Sequence, residues 1–356
     1  MEKYERSING KKSFLIIHTN GMGDFLMFTP AYKEILKKYP NCEIDFFITN
    51  KNVKEIVSFY PNIKNIYISS LKKIDLIMNL LKLRKKKYDI SIVTTGGKTW
   101  KTNLFFLFLK SKLKIGEYLK IKSFIFDRAV KRREDSHFVE NNIRLINSIF
   151  EVPKKTMYKL WFPLEHVNFI KNNEKIYIGI HPGSQLAYGD RRWDKFEILI
   201  EELLKKYSNI NIKLFLGPEE KNIRENFIHG NNRIKIIENK ALKEVICELK
   251  ECNIFINSDS GLGHLYTCFN TKIISIFGPN QLGLNQELRT GPYSTEAKIV
   301  KIRGMEEKYY KEKGLNKKYK CLLDIQVQDV LKEVDFFYVR RSLNERNRSI
   351  YNFSSL

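Results

Sequence analysis

Asp259-Ser260-Gly261-Leu262-Gly263-His264 follows the apolar run Ile254-Phe255-Ile256 and precedes Leu265-Tyr266-Thr267-Cys268-Phe269. The apolar run has the length of a buried strand, and the segment after the turn begins a helix near 263. A strand that delivers a glycine-bearing turn into a helix leaves backbone N–H groups unpaired at the helix start. A diphosphate suits such a turn, because the glycines Gly261 and Gly263 let it approach the backbone closely. Asp259 and His264 flank the turn with an acceptor and a donor for sugar hydroxyls, beside Ser260 and Leu262. Asp-Ser-Gly is also a common loop sequence, so other segments have to decide.

Two of them repeat the arrangement. Phe14-Leu15-Ile16-Ile17 runs into Thr19-Asn20-Gly21-Met22-Gly23-Asp24, and Ile176-Tyr177-Ile178-Gly179-Ile180 runs into His181-Pro182-Gly183-Ser184, with Arg191-Arg192-Trp193 shortly after. Each places a glycine loop at the carboxyl end of a strand, where open α/β sheets bind ligands. Around these loops strands and helices alternate. In the first half strands are expected at 14–18, 43–48, 65–68 and 89–94, with helices near 29–39, 53–59 and 71–86. In the second half strands are expected at 176–180, 212–216, 233–237, 253–257 and 272–277, with helices between them. The segment 154–173, bounded by Pro153 and containing Pro163, interrupts the rhythm as an interdomain connection. A C-terminal helix is expected over 327–341, followed by a polar tail.

These motifs resemble the ADP-heptose:lipopolysaccharide heptosyltransferase family. The resemblance rests on Gly21-Met22-Gly23-Asp24 with Thr29-Pro30 and Leu36-Lys37-Lys38-Tyr39-Pro40. It continues through His181-Pro182-Gly183-Ser184 with Trp193 and Phe196, and through Leu216-Gly217-Pro218-Glu219-Glu220. It ends on Asp259-Ser260-Gly261-Leu262-Gly263-His264 and Phe277-Gly278-Pro279, and it spans roughly 14–330. The chain departs from the pattern at Tyr266, Thr267 and Cys268, where the family carries small residues, and at Arg191-Arg192, where many members place a lysine before the tryptophan.

The resemblance implies an α/β chain of the GT-B class, two Rossmann-like domains facing across a cleft. Residues 1–165 would bind the acceptor, 166–330 the nucleotide sugar, and 331–356 would form a C-terminal helix and tail, the helix packing on the first domain. The implied activity is inverting transfer of heptose from ADP-heptose to a lipopolysaccharide core or similar glycolipid. A hexose donor is the alternative within glycosyl transfer.

Asp24 fits two roles. It can cap a helix, or it can act as the general base that deprotonates the acceptor hydroxyl, which the resemblance also implies. Ser184 and either Arg191 or Arg192 can neutralise a departing nucleoside diphosphate, or stand in a solvated loop beside Asp190 and Asp194. Glu219 or Glu220 can accept ribose hydroxyls, or complement a helix dipole; the resemblance favours Glu220. Thr94-Thr95-Gly96-Gly97-Lys98-Thr99 lacks the first glycine of a phosphate-binding kinase loop, because Ile92 occupies that position. In the glycosyltransferase reading this loop, with Lys98, joins Gly21 and Gly23 on the acceptor side. Arginine and backbone amides serve the diphosphate, so neither a metal nor a cofactor is expected.

Composition limits the remaining choices. The 356 residues suffice for two domains. The five cysteines, Cys42, Cys247, Cys252, Cys268 and Cys321, show no disulfide or zinc spacing, so reduced thiols in a cytoplasm are expected. No signal peptide or membrane-spanning stretch is evident.

The net charge is +23, and residues 1–170 hold 32 Lys and Arg against 16 Asp and Glu. A basic first half suits an anionic glycolipid or peripheral contact with the inner face of an inner membrane. It also suits nucleic acid, the alternative from another class, although a nucleic-acid-binding protein leaves the three glycine loops unexplained. The helix 71–86 is expected to pack its stripe of Leu71, Ile74, Met78 and Leu81 on the sheet and to solvate its lysines.

Overall fold

The structure, a computed structural model, describes residues 11–70, 72–97, 105–119, 124–163, 175–183, 192–218, 220, 230–269, 271–278, 286–301 and 320–338. The chain divides into two compact units. Met1–His166 with Leu288–Thr290 form the first, and Val167–Glu287 with Gly291–Leu356 form the second.

The first unit runs β1 (Ser13–His18), α1 (Met22–Lys38), β2 (Glu43–Ile48), α2 (Lys51–Val57), β3 (Ile63–Ile68), α3 (Lys73–Arg84), β4 (Tyr88–Val93), β5 (Ser111–Tyr118), β6 (Arg128–Lys131) and α4 (Phe138–Asn147). Its six strands are all parallel in the order β3-β2-β1-β4-β5-β6. The second unit runs β7 (Ile176–His181), α5 (Phe196–Lys206), β8 (Ile210–Phe215), β9 (Ile234–Ile237), α6 (Leu242–Glu251), β10 (Ile254–Ser258), α7 (Gly261–Thr267), β11 (Lys272–Ile276) and β12 (Ala297–Val300), then a helix, α9, over 327–338. The short helix α8 (Gln286–Thr290), between β11 and β12 in the chain, starts in the second unit and has its last three residues in the first. The second unit's strand order, β12-β11-β10-β7-β8-β9, is the same topology. In both sheets the chain reverses direction next to the first strand of the unit, so the crevice lies at the ends of β1 and β4 in one and of β7 and β10 in the other.

Helix α1 begins at Met22, earlier than its sequence suggests, and Pro30 lies inside it. A proline there removes the N–H that would reach the carbonyl of Leu26 and costs about 3 kcal/mol in an ordinary helix. Thr29 offsets part of that loss: its hydroxyl donates to the Leu26 carbonyl at 2.7 Å, and its oxygen accepts the Trp161 N–H at 2.9 Å. The Thr29-Pro30 pair is thus a repaired helix interior. Trp161 also stacks on Tyr32, and Tyr60 donates to its carbonyl, so the chain up to Phe162 packs on the first unit. The expected interdomain connection therefore lies partly within that unit.

Two expectations are corrected. Helix α3 turns Leu76, Leu80 and Leu83 toward the core cluster of Leu15, Phe47, Phe105 and Phe106, while Ile74, Met78 and Leu81 face outward. The helix carries two apolar stripes, and polar residues choose between them. Buried Asn79 donates to the Ile68 carbonyl and to Asp75, whose carboxylate accepts from Ser70. Those bonds fix the rotation of the helix; Leu71 lies outside the described residues.

The second correction concerns α9, which belongs to the second unit's core through Val330, Leu331, Val334 and Phe337. Ahead of it, the carbonyl of Ile325 accepts from Trp193 Nε1 and Lys195 Nζ. Lys206 and Tyr207 both bond Asp335. Those anchors tie the helix to α5 and to the segment that leads into it.

Candidate donor and acceptor loops

In the first unit the loops after β1 and β4 are sewn together. His18, fully buried, places Nε2 3.0 Å from the Gly21 carbonyl and Nδ1 2.9 Å from the Thr94 hydroxyl. A carbonyl only accepts, so Nε2 carries the proton and donates to Gly21; neutral Nδ1 then accepts from Thr94. Burial pushes the imidazole down to about 4, against a smaller opposing pull from the Gly21 carbonyl, which keeps it neutral near pH 7. Thr19 donates to the Gly97 carbonyl at 3.1 Å and Asn20 to that of Thr95 at 3.4 Å.

Gly96 has φ +80°, and a Cβ there would lie 2.7 Å from Asn20 Nδ2, so the glycine is required. Its N–H donates to buried Glu117 at 2.8 Å, and Arg132 holds the same carboxylate at 3.0 Å. Desolvation is the larger influence on Glu117 and raises its pKa, while Arg132 and the Gly96 N–H oppose it.

This frame presents the start of α1. The Gly21 N–H donates to Asp24 Oδ2 at 3.3 Å, so Asp24 does cap the helix, and its side chain is half-buried at the carboxyl end of β1. Gly21, Gly23 and Asp24 are thereby brought to one place, whereas Lys98 lies outside the described residues. His18, Glu117 and Arg132 were missed in the sequence. A polar residue at the carboxyl end of a strand, His18 as the last residue of β1 and Glu117 as the last but one of β5, is the signal that marks the first two.

In the second unit the corresponding loops leave β7, β8 and β10. His181 donates through Nδ1 to the Phe215 carbonyl at 2.9 Å. Burial lowers its pKa, and nearby Glu220 opposes that. Glu220 is buried, and its Oε2 accepts the Gly217 N–H at 2.6 Å. A Cβ on Gly183 would lie 2.3 Å from Glu220 Oε1, so the turn after β7 closes directly over this carboxylate. Ser184, Arg191 and Glu219 lie outside the described residues; Arg192 is exposed, and Trp193 is buried against Phe196.

After β10, Asp259, Ser260, Gly261 and Leu262 are half-buried at the sheet's carboxyl end, and His264 is buried one turn into α7. Ser260 stands at the helix N-cap but makes no capping bond; its hydroxyl accepts from Asn257 Nδ2 at 3.1 Å. Ser275 donates to the other end of that Asn257 amide at 2.7 Å. A Cβ on Gly263 would meet Asn257 Nδ2 at 2.3 Å, so this glycine serves the packing of α7 onto β10. Tyr266 points inward, stacking on Phe255 and donating to the Cys252 carbonyl. The core absorbs that departure from the family pattern, and the loop is spared.

The sequence model of glycosyltransferase family 9 (heptosyltransferase) matches residues 80–321. The chain belongs to this family. It is therefore a glycosyltransferase, and its α/β fold is of the expected GT-B class. It is 23% identical over 333 residues to lipooligosaccharide heptosyltransferase 2 of Campylobacter jejuni, covering 88% of this chain and 95% of the relative.

Among solved structures, Escherichia coli heptosyltransferase WaaC with ADP superposes with a TM-score of 0.71 at 18% identity, covering 91% of this chain and 99% of that one. The same enzyme with ADP-2-deoxy-2-fluoro heptose gives a TM-score of 0.66 at 18% identity, covering 85% and 100%. Among the described residues of this glycosyltransferase, no group of three or more His, Cys, Asp or Glu side chains could hold a metal ion. No described helix is long and apolar enough to cross a membrane.

Proposed function

We propose that this chain transfers heptose from ADP-heptose to a lipopolysaccharide core or similar anionic glycolipid, with inversion at the anomeric carbon. The observation that carries the reading is the repeated sheet topology with a glycine loop at each switch point, in a chain of the heptosyltransferase family. The ADP and ADP-heptose analogue bound by the E. coli relative support the choice of donor.

Residues 166–330 take the nucleotide sugar. Asp259, Ser260, Gly261, Leu262 and His264 grip the diphosphate and sugar, Glu220 the ribose, and Ser184 with Arg191 the leaving group. Residues 1–165 present the acceptor along Gly21, Gly23 and Lys98. Asp24 accepts the proton of the acceptor hydroxyl as its oxygen attacks the anomeric carbon, and the bond from that carbon to the diphosphate breaks to release ADP. The enzyme works from the cytoplasm on the inner face of the inner membrane.

The test is to incubate purified chain and glycolipid acceptor with ADP-heptose and, separately, with ADP-, UDP- and GDP-hexoses. Released nucleotide is followed and the product weighed by mass spectrometry. Heptose addition with ADP release is expected. Transfer from a hexose donor alone would replace the donor assignment.

A further inference from the structure

Among the described residues the outward stripe of α3 has no partner in its own unit. Ile74, Ile77, Met78 and Leu81 are 76, 47, 53 and 56% exposed and recur at three- and four-residue spacing, so they line one face of the helix. The opposite face already fills the core with Leu76, Leu80 and Leu83. The first unit exposes other large apolar side chains as well. Leu107 and Phe108 follow two core phenylalanines, and Phe124, 91% exposed, precedes the core residue Phe126.

Charge defines what fits there. Lys72, Lys82, Arg84, Lys85 and Lys87 are exposed, and among the described residues none of them pairs with a carboxylate. At about 3.6 residues per turn, Arg84 falls to one side of the stripe, Lys82 to the other and Lys85 in line beyond Leu81. The helix's single acid, Asp75, is engaged by Ser70 and Asn79. A second copy of the chain would set lysine against lysine across a two-fold interface. A lipid surface with anionic headgroups satisfies both features, since apolar side chains enter the headgroup boundary while lysine stems reach back to phosphates.

We propose that the outward face of α3 docks the enzyme on an anionic bilayer. The inference deepens the reading of a membrane-held acceptor and rests on it. Docking would bring the first unit to the surface where a lipid-linked acceptor is displayed.

The full chain is sedimented with vesicles of phosphatidylcholine alone or mixed with phosphatidylglycerol. Wild type is expected to bind the mixed vesicles at least about tenfold tighter than the neutral ones. The variant Ile74→Gln/Met78→Gln/Leu81→Gln should lose about tenfold or more of that binding. Lys82→Gln/Lys85→Gln should lose about fivefold per lysine and weaken the salt dependence. Ile198→Gln, at an exposed apolar position of the second unit, should bind as wild type does.

Matched thermal melts check folding. Independently, Met78→Cys carrying an environment-sensitive fluorophore should shift to the blue on mixed vesicles. Equal binding by wild type and the triple variant would overturn the proposal, as would an unshifted fluorophore. A concentration-dependent dimer abolished by the triple variant would overturn it in favour of self-association. Transfer to a water-soluble acceptor fragment is measured beside these assays and should be unchanged in the triple variant. Loss of transfer in wild type with vesicle binding intact would sink the function reading and leave docking standing.

Discussion

The imidazole of His18 holds the Gly21 carbonyl at 3.0 Å, joining the last residue of β1 to the residue that caps α1. Through Thr94 on its other nitrogen the same ring reaches the loop after β4. One neutral side chain thus spaces the two loops at the first unit's switch point, and Asp24 stands on the helix that it helps to place.

Protonating His18 should therefore loosen the fold. Its pKa falls from the ordinary 6.5 unfolded to about 4 folded, so below pH 6.5 the unfolded chain binds a proton that the folded one refuses. Stability is full above that pH and declines as pH falls from 6.5 toward 4, by on the order of 3 kcal/mol at most. His181, also lowered by burial, adds to the same slope. Urea unfolding at pH 7.5 and 4.5 should show the loss, and His18→Gln should be less stable at pH 7.5 but show a shallower pH dependence. An unchanged slope would remove His18 from this role.

Asp24→Asn retains a side-chain oxygen for the Gly21 N–H and removes the basic carboxylate. Turnover should fall by roughly two to four powers of ten while nucleotide-sugar affinity stays near wild type. Near-normal turnover of the folded variant would leave Asp24 as a helix cap alone.

Thr29→Val should destabilise the first unit. The change keeps the side-chain shape but strips partners from the Leu26 carbonyl and the Trp161 N–H, each costing roughly 1–3 kcal/mol when buried. Equilibrium denaturation reads it directly, and a loss below the error of the method would mean that water replaces the hydroxyl.

Asp259→Ala and His264→Ala should weaken binding of the nucleotide sugar more than that of the free nucleotide, if both side chains serve the sugar. Arg191→Ala should weaken both ligands. Calorimetry showing wild-type affinities in all three would move the donor site elsewhere.

Gly263→Ala separates packing from ligand approach. The new methyl would press on Asn257, which is buried and tied to Ser260 and Ser275. A loss of about 1–3 kcal/mol in stability is expected without any ligand present. Unaltered stability with reduced donor affinity would return Gly263 to the diphosphate.

The sequence by itself determined most of the alternation of strand and helix and the three glycine loops, each written locally as a short apolar run, a turn residue or the start of a helical repeat. The class of enzyme followed from the resemblance of those motifs to a known family. The edge strands β6 and β12 were not legible, because four residues with no buried face of their own, such as Arg128–Lys131, become a strand only when a neighbour supplies the ladder.

Tertiary structure alone decided the rest. Two apolar stripes on α3 competed for one sheet, and bonds from Asn79 and Asp75 to the end of β3 and beyond selected the outcome. The loops at positions 18–21 and 94–97 lie some 75 residues apart, and only the pairing of β1 with β4 brings His18 to Thr94. Gly263 reads like a ligand-facing glycine until the helix is laid on β10 and Asn257 fills the space beside it. In each case the deciding contact is made by a residue distant in the chain, a contact that local pattern does not encode.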